Sequence, residues 1–127
     1  MTYGEMKTLF DQAYSAGMQA MKAATPKPIV VGHAKSITSD EIDYSRPTYV
    51  VPGGLCGFAW VNIRPGNSKF ARWLVKEGLG RKSYSGGVDF PVREGNQSVE
   101  LKEAFAYAFA EELQSNGIKA YAQSRLD

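Results

Sequence analysis

Arg64, Lys69, Arg72, Lys76, Arg81 and Lys82 stand in one stretch of the chain against a single acid, Glu77, so this segment carries +5 while the whole chain carries +2. Cations at such density suit a phosphate-bearing partner. The most concentrated chemistry lies at the corner Asn62-Ile-Arg-Pro-Gly-Asn-Ser68, where a strand is expected to give way to a helix. A helix N-terminus presents free N–H groups and the positive end of its dipole. Asn67 and Ser68, with Arg64 and Lys69 beside them, therefore make a candidate phosphate cradle. The same residues equally serve as a plain turn and cap. Lys69, Arg72 and Lys76 recur at i, i+3 and i+7 on one helix face with Trp73 on its shoulder. Stacking on a base and neutralising its phosphate call for such cations beside an aromatic ring. A solvated charged face with a half-buried Trp73 is the structural alternative.

Other chemistry is sparse. The corner has neither the P-loop spacing nor a G-x-G-x-x-G fingerprint. His33 is the only histidine and Cys56 the only cysteine, which excludes metal sites built on several histidines or on cysteine pairs and any intrachain disulfide. A Cys56–His33 nucleophile pair would require two separate segments to meet, and Cys56 reads more simply as a small packed hydrophobe. Asp40, Glu41 and Asp43 lack the spacing of a calcium loop. Asp89, and Asp127 beside Arg125, read as surface charges. Gly53, Gly54 and Gly57 on one side and Gly86 and Gly87 on the other would rim one pocket, with Tyr84 and Arg125 near it, if the strands they adjoin are neighbours.

These residues must be positioned by regular elements. Thr2 and Glu5 have the spacing of a capping box, and Met6, Phe10, Ala13, Gly17 and Met21 continue it as an apolar stripe, so a helix is expected over 2–24, ending before Pro26 and Pro28. A short strand follows over 28–34 and a polar loop over 35–47. In Cys56-Gly-Phe-Ala-Trp-Val-Asn-Ile63, Phe58, Trp60 and Asn62 face one way while Ala59, Val61 and Ile63 face the other and form core. A helix after Ser68 buries Phe70, Ala71, Leu74 and Val75. Residues 81–84 and 88–92 form a hairpin about Ser85-Gly-Gly87, with Pro91 at an edge, a bulge or a strand end. Ser98 caps a helix to about Asn116 that buries Leu101, Phe105, Ala108 and Leu113. Residues 118–123 alternate as a last strand. The order is β-α-β(β)-α-β over 45–127, an α+β two-layer sandwich of ferredoxin-like or split β-α-β kind with an extra N-terminal helix, in one domain over 1–127.

Composition sets the outer bounds. At 127 residues, 43% hydrophobic and 22% charged, the chain supports one ordinary core and fits neither disorder nor a fibre. No apolar run is long enough for a membrane helix, and the first residues lack the pattern of a secretory signal, so a cytoplasmic protein is expected.

Gly57-Phe-Ala-Trp-Val-Asn-Ile-Arg-Pro-Gly66, Phe70-Ala-Arg-Trp-Leu74, Gly86-Gly87, Gln97-Ser98 and Gly117-Ile-Lys-Ala-Tyr-Ala-Gln-Ser-Arg-Leu-Asp127 together resemble a family of short, uncharacterised proteins of bacteriophages and prophages. The resemblance covers roughly residues 45–127 and implies a phage setting in a bacterial host cytoplasm. It transfers no catalytic residue. The expected function is non-enzymatic binding of a nucleic acid or nucleotide through Arg64, Asn67, Ser68, Lys69, Arg72, Trp73, Lys76, Arg81 and Lys82, with no cofactor and no metal. The alternative is a protein-interaction or structural role, as a host-factor inhibitor or minor virion component, in a homo-oligomer anchored by Tyr3, Tyr14, Tyr44, Tyr49, Tyr107 and Tyr121. A small enzyme acting on a nucleotide or peptide has least support, because no acid, base and nucleophile stand together.

Overall fold

The computed structural model describes residues 1–26, 28–31, 41, 45, 49–51 and 53–127. Helix α1 (Tyr3–Ala23) starts at the expected capping box: Thr2 accepts from the Glu5 N–H and the Glu5 carboxylate accepts from the Thr2 N–H. That bond to the Thr2 N–H, with the Thr2 side chain second, lowers the Glu5 carboxyl below its usual range. Strands β1 (Ile29–Val31) and β2 (Tyr49–Val51) pair antiparallel as a separate two-stranded sheet. The rest of the strand expected to Ala34, nearly all of the 35–47 loop, and His33, Asp40, Asp43 and Tyr44 lie outside the described residues.

The main sheet comprises β3 (Gly57–Arg64), β4 (Arg81–Lys82), β5 (Val88–Pro91) and β6 (Lys119–Leu126), in the order β4-β5-β3-β6 with every neighbour antiparallel. Helix α2 (Lys69–Lys76) connects β3 to β4, and α3 (Val99–Ser115) connects β5 to β6. Each connection skips one strand, so two split β-α-β units interleave and the ferredoxin-like two-layer order is met. Pro91 is the last residue of β5, where the missing N–H costs no ladder bond to β4, whose pairing ends at Asp89.

Alternation in β3 decides the layers. Ala59, Val61 and Ile63 are buried with Val88, Phe90, Val92 and Ala120 beneath the helices. Helix α3 lies on β3 and β6, and α1 lies along α3 and touches α2. Phe10 of α1 packs edge-on against Trp73, Phe90 and Phe109, joining α1, α2, β5 and α3 in one aromatic cluster. Burying each such ring contributes roughly 1.5–3 kcal/mol. At Gly17 the two long helices meet so closely that a Cβ would stand 2.8 Å from the Phe105 ring.

Sandwiching changes which helix residues are buried. Because α3 is covered by the sheet on one side and by α1 on the other, its buried set is Val99, Lys102, Phe105, Ala106, Phe109, Ala110 and Leu113, while Leu101 and Ala108 are only half-buried. On α2 the buried residues are Phe70, Ala71, Trp73 and Leu74. Val75, expected inside, is 40% exposed, and Trp73 takes the inner place because α1 covers that side of the helix.

Candidate functional site

Among the described residues all three helices lie on one side of the main sheet, which leaves its other face open. That face carries Phe58, Trp60, Asn62 and Arg64 from β3, Lys119, Tyr121, Gln123 and Arg125 from β6, Asp89 and Pro91 from β5, and Arg81 from β4. Four cations, Arg64, Arg81, Lys119 and Arg125, stand there against Asp89 and, just past the end of β6, Asp127. Helix α3, packed between the sheet and α1, carries Glu100, Glu103, Glu111 and Glu112 against Lys102. A hollow of about 560 Å³ opens on this face, lined among others by Phe58, Trp60, Arg81, Tyr84, Asp89 and Arg125.

Buried polar contacts hold the platform in shape. Asn62 is fully buried and uses its whole amide: Nδ2 donates to the Gly86 carbonyl at 2.9 Å and to Asp89 Oδ1 at 2.8 Å, and Oδ1 accepts from Arg64 Nε at 2.7 Å. Arg64 Nη2 then donates to the Ser85 carbonyl at 2.8 Å. One side chain thus fixes an arginine, an aspartate and the Ser83–Gly87 turn. Gly87 makes the turn fit, with φ +75° and a position where a Cβ would lie 2.6 Å from the Ile63 carbonyl. No side chain larger than hydrogen is accommodated there.

The aromatics are likewise oriented. Trp60 donates its indole N–H to Gln123 Oε1 at 2.7 Å. The Arg125 guanidinium carbon stands 5.2 Å from the centre of the Phe58 ring, and Lys102 Nζ reaches within 5.4 Å of the same ring. Phe58 and Trp60, two residues apart on one strand, are separated by about 7 Å along the sheet. Tyr121 is half-exposed on the neighbouring strand, and Tyr84 at the turn is fully exposed.

The residues singled out from sequence divide among several surfaces. Arg64 and Arg81 belong to the open face. Lys69, Arg72 and Lys76 do share one exposed face of α2, with Tyr3 and Met6 beside them, but it points away from the open sheet. Lys76 Nζ sits 5.0 Å from the Tyr3 ring centre, and hydrogen bonding with the Tyr3 hydroxyl raises its pKa and keeps it a cation. Trp73 is 4% exposed and packed against Phe10 and Phe70, so it presents no ring to a base. Lys82 is paired with Val88, on the helix side of the sheet at its rim. At the corner, Ser68 caps α2 by accepting from the Ala71 N–H, and Asn67 is exposed. Arg64, Ser68, Lys69 and Lys119 line a smaller hollow there of about 280 Å³, adjoining the open face.

The two glycine clusters do not rim one pocket. Gly57 and Gly87 adjoin opposite ends of β3, Gly57 against Val99 and Arg125 and Gly87 against Ile63, although Tyr84 and Arg125 do share the large hollow. Cys56 is exposed, with Sγ 3.7 Å from Gln97 Oε1, instead of packed as a small hydrophobe. Tyr14, one of the candidate surface anchors, is half-buried and bonds its hydroxyl to Glu94, whereas Tyr3, Tyr107 and Tyr121 are exposed. Among the described residues no group of three or more His, Cys, Asp or Glu side chains comes together as a metal site. Nor, among the described residues, is any helix long and apolar enough to cross a membrane.

The charge run around α2 does not point to Phe58 and Trp60, which stand on β3 outside it. The signal was present: two aromatics at i and i+2 on the non-core face of a strand. Comparison with family models, curated proteins and solved structures returns no match, so the functional reading rests on this geometry.

Proposed function

We propose that the protein binds single-stranded nucleic acid across the open face of its sheet and catalyses no reaction on it. The observation that carries this reading is the helix-free face on which Phe58, Trp60 and Tyr121 stand among Arg64, Arg81, Lys119 and Arg125. A four-stranded sheet with aromatics on its central strands is a recurrent platform for unstacked bases, and cations around it take the phosphates. Arg125, lying over Phe58, adds a second planar group for stacking. A duplex is disfavoured, because its bases are already stacked and a sheet face reaches none of their ring surfaces. A lone nucleotide would use only part of a hollow of about 560 Å³. In the phage setting that the sequence resemblance implies, the partner would be single-stranded DNA or RNA in the host cytoplasm.

Fluorescence anisotropy with labelled single strands tests this reading. Binding should depend on salt, with log K falling against log salt at a slope of about −2 to −3 if three or four of the face's cations contact phosphates. A duplex of the same sequence should bind more weakly. Equal affinity for duplex and single strand, or no binding at low salt, would overturn the proposal.

A further inference from the structure

Strand β6 is eight residues long and, among the described residues, lies at the edge of the sheet and pairs only with β3. The direction of its unused backbone groups follows from one bond. The Asp127 N–H donates to the Cys56 carbonyl, so in this antiparallel ladder residues 119, 121, 123, 125 and 127 turn their N–H and C=O toward β3. Ala120, Ala122, Ser124 and Leu126 therefore turn theirs outward. The Ala120 carbonyl is taken by Gln114 Nε2, and a row of outward groups over 122–126 is left as a template for another strand. Exposed aromatic and aliphatic side chains flank it: Tyr121 on the open face, Tyr107 of α3 beside Ala122 and Ser124 on the helix face, and Leu126 at the end.

We infer that this edge pairs with β6 of a second copy of the chain, giving a two-fold dimer with one continuous eight-stranded sheet. A two-fold axis normal to the sheet keeps like faces together, so residues oppose partners of the same parity. Among these registers, the one centred on Gln123 sets Lys119 opposite Asp127 and Tyr121 opposite Arg125, each twice. A shift of one residue about the axis in one direction would set Lys119 opposite Arg125, two like-charge pairs that oppose association, and in the other would set Tyr121 opposite Asp127 and Gln123 opposite Arg125, with no ion pair. Charge complementarity thus selects both the occupant and the register. On the helix face the same register pairs Ala122 with Ser124, small residues that let the two Tyr107 side chains close over the seam, and Ala120 with Leu126. The helices of both copies stay on one side, and the two open faces join edge to edge.

Sedimentation velocity of the full chain over a concentration series, without nucleic acid, tests the dimer independently of any ligand. A concentration-dependent dimer is expected. Ser124→Pro removes an outward N–H while leaving the bonds to β3 intact, and should give a monomer with an unchanged circular dichroism spectrum. If that variant fails to fold, charge substitutions decide. Lys119→Asp should weaken the dimer about tenfold, and Lys119→Asp combined with Asp127→Lys should restore it. A monomer at every concentration, a folded Ser124→Pro variant that still dimerises, or a double variant that fails to restore association would overturn the inference.

Discussion

Replacing Asn62 by Ala should destabilise the protein by about 2.5–4.5 kcal/mol. Asn62 is fully buried and makes three hydrogen bonds, two of them to the charged groups of Arg64 and Asp89. The bond to the Gly86 carbonyl contributes roughly 0.5–1.5 kcal/mol net. Bonds to charged groups reach about 1.5–3 kcal/mol in buried settings, but Arg64 is exposed and Asp89 half-buried, so water recovers much of each and about 0.5–1 kcal/mol apiece is the reasonable share. The void left by the amide adds a further loss of about 1 kcal/mol. With a urea dependence of about 1.5 kcal/mol/M, ordinary for a chain of this size, the unfolding midpoint should fall by roughly 1.7–3 M. Equilibrium urea unfolding followed by fluorescence and by circular dichroism would measure it. Asn62→Asp separates the polar network from simple packing. It keeps the acceptor for Arg64 but sets a carboxylate against Asp89, so its deficit at neutral pH should shrink as the pH falls toward 4 and the pair takes up a proton. A midpoint shift below about 0.3 M for Asn62→Ala, at unchanged slope, would refute the claim that this side chain organises the face.

Further outcomes follow from the packing and the charges. Gly17→Ala gains up to about 1 kcal/mol of helix propensity but drives a methyl to 2.8 Å from the buried Phe105 ring, so a net loss of about 1–2 kcal/mol is expected in the same unfolding assay. The Tyr14 hydroxyl donates to Glu94, which raises its pKa above the ordinary value. The stabilisation from that bond is therefore fully present below about pH 10 and is lost as the pH rises through the raised folded value. Tyr14→Phe should lower stability at pH 8 and narrow its difference from the parent protein at pH 11, and a constant difference across that range would contradict the assignment. Arg72→Ala with Lys76→Ala should change single-strand affinity less than threefold, because α2 presents these cations away from the open sheet. Arg81→Ala with Arg125→Ala should weaken binding at least tenfold and make the salt dependence shallower, as anisotropy titrations would show.

How much was legible depended on whether the deciding contacts were local. The capping box at Thr2, the Ser68 and Ser98 caps and the alternation of Ala59, Val61 and Ile63 are set within a few residues, and the elements they define form where the sequence predicts. Burial on α2 and α3 was not local. Trp73 turns inward because Phe10, far upstream, covers it, and α3 buries a second side only because α1 lies there. The same limit explains the site. Arg64, Lys69, Arg72, Lys76, Arg81 and Lys82 are neighbours in sequence, yet a strand, a helix and an edge strand carry them to different surfaces. Arg125 and Tyr121 join Phe58 and Trp60 only through the β3–β6 register, and that register spans more than half the chain.

The most direct test of the account is the affinity of Trp60→Ala for a labelled single strand, measured beside the parent protein. Trp60 holds its orientation through the bond to Gln123 and stands at the centre of the aromatic face. Loss of one stacked base costs about 1–3 kcal/mol, so a folded Trp60→Ala variant should bind roughly 5- to 150-fold more weakly. Unchanged affinity in that folded variant would contradict the placement of nucleic acid on the sheet.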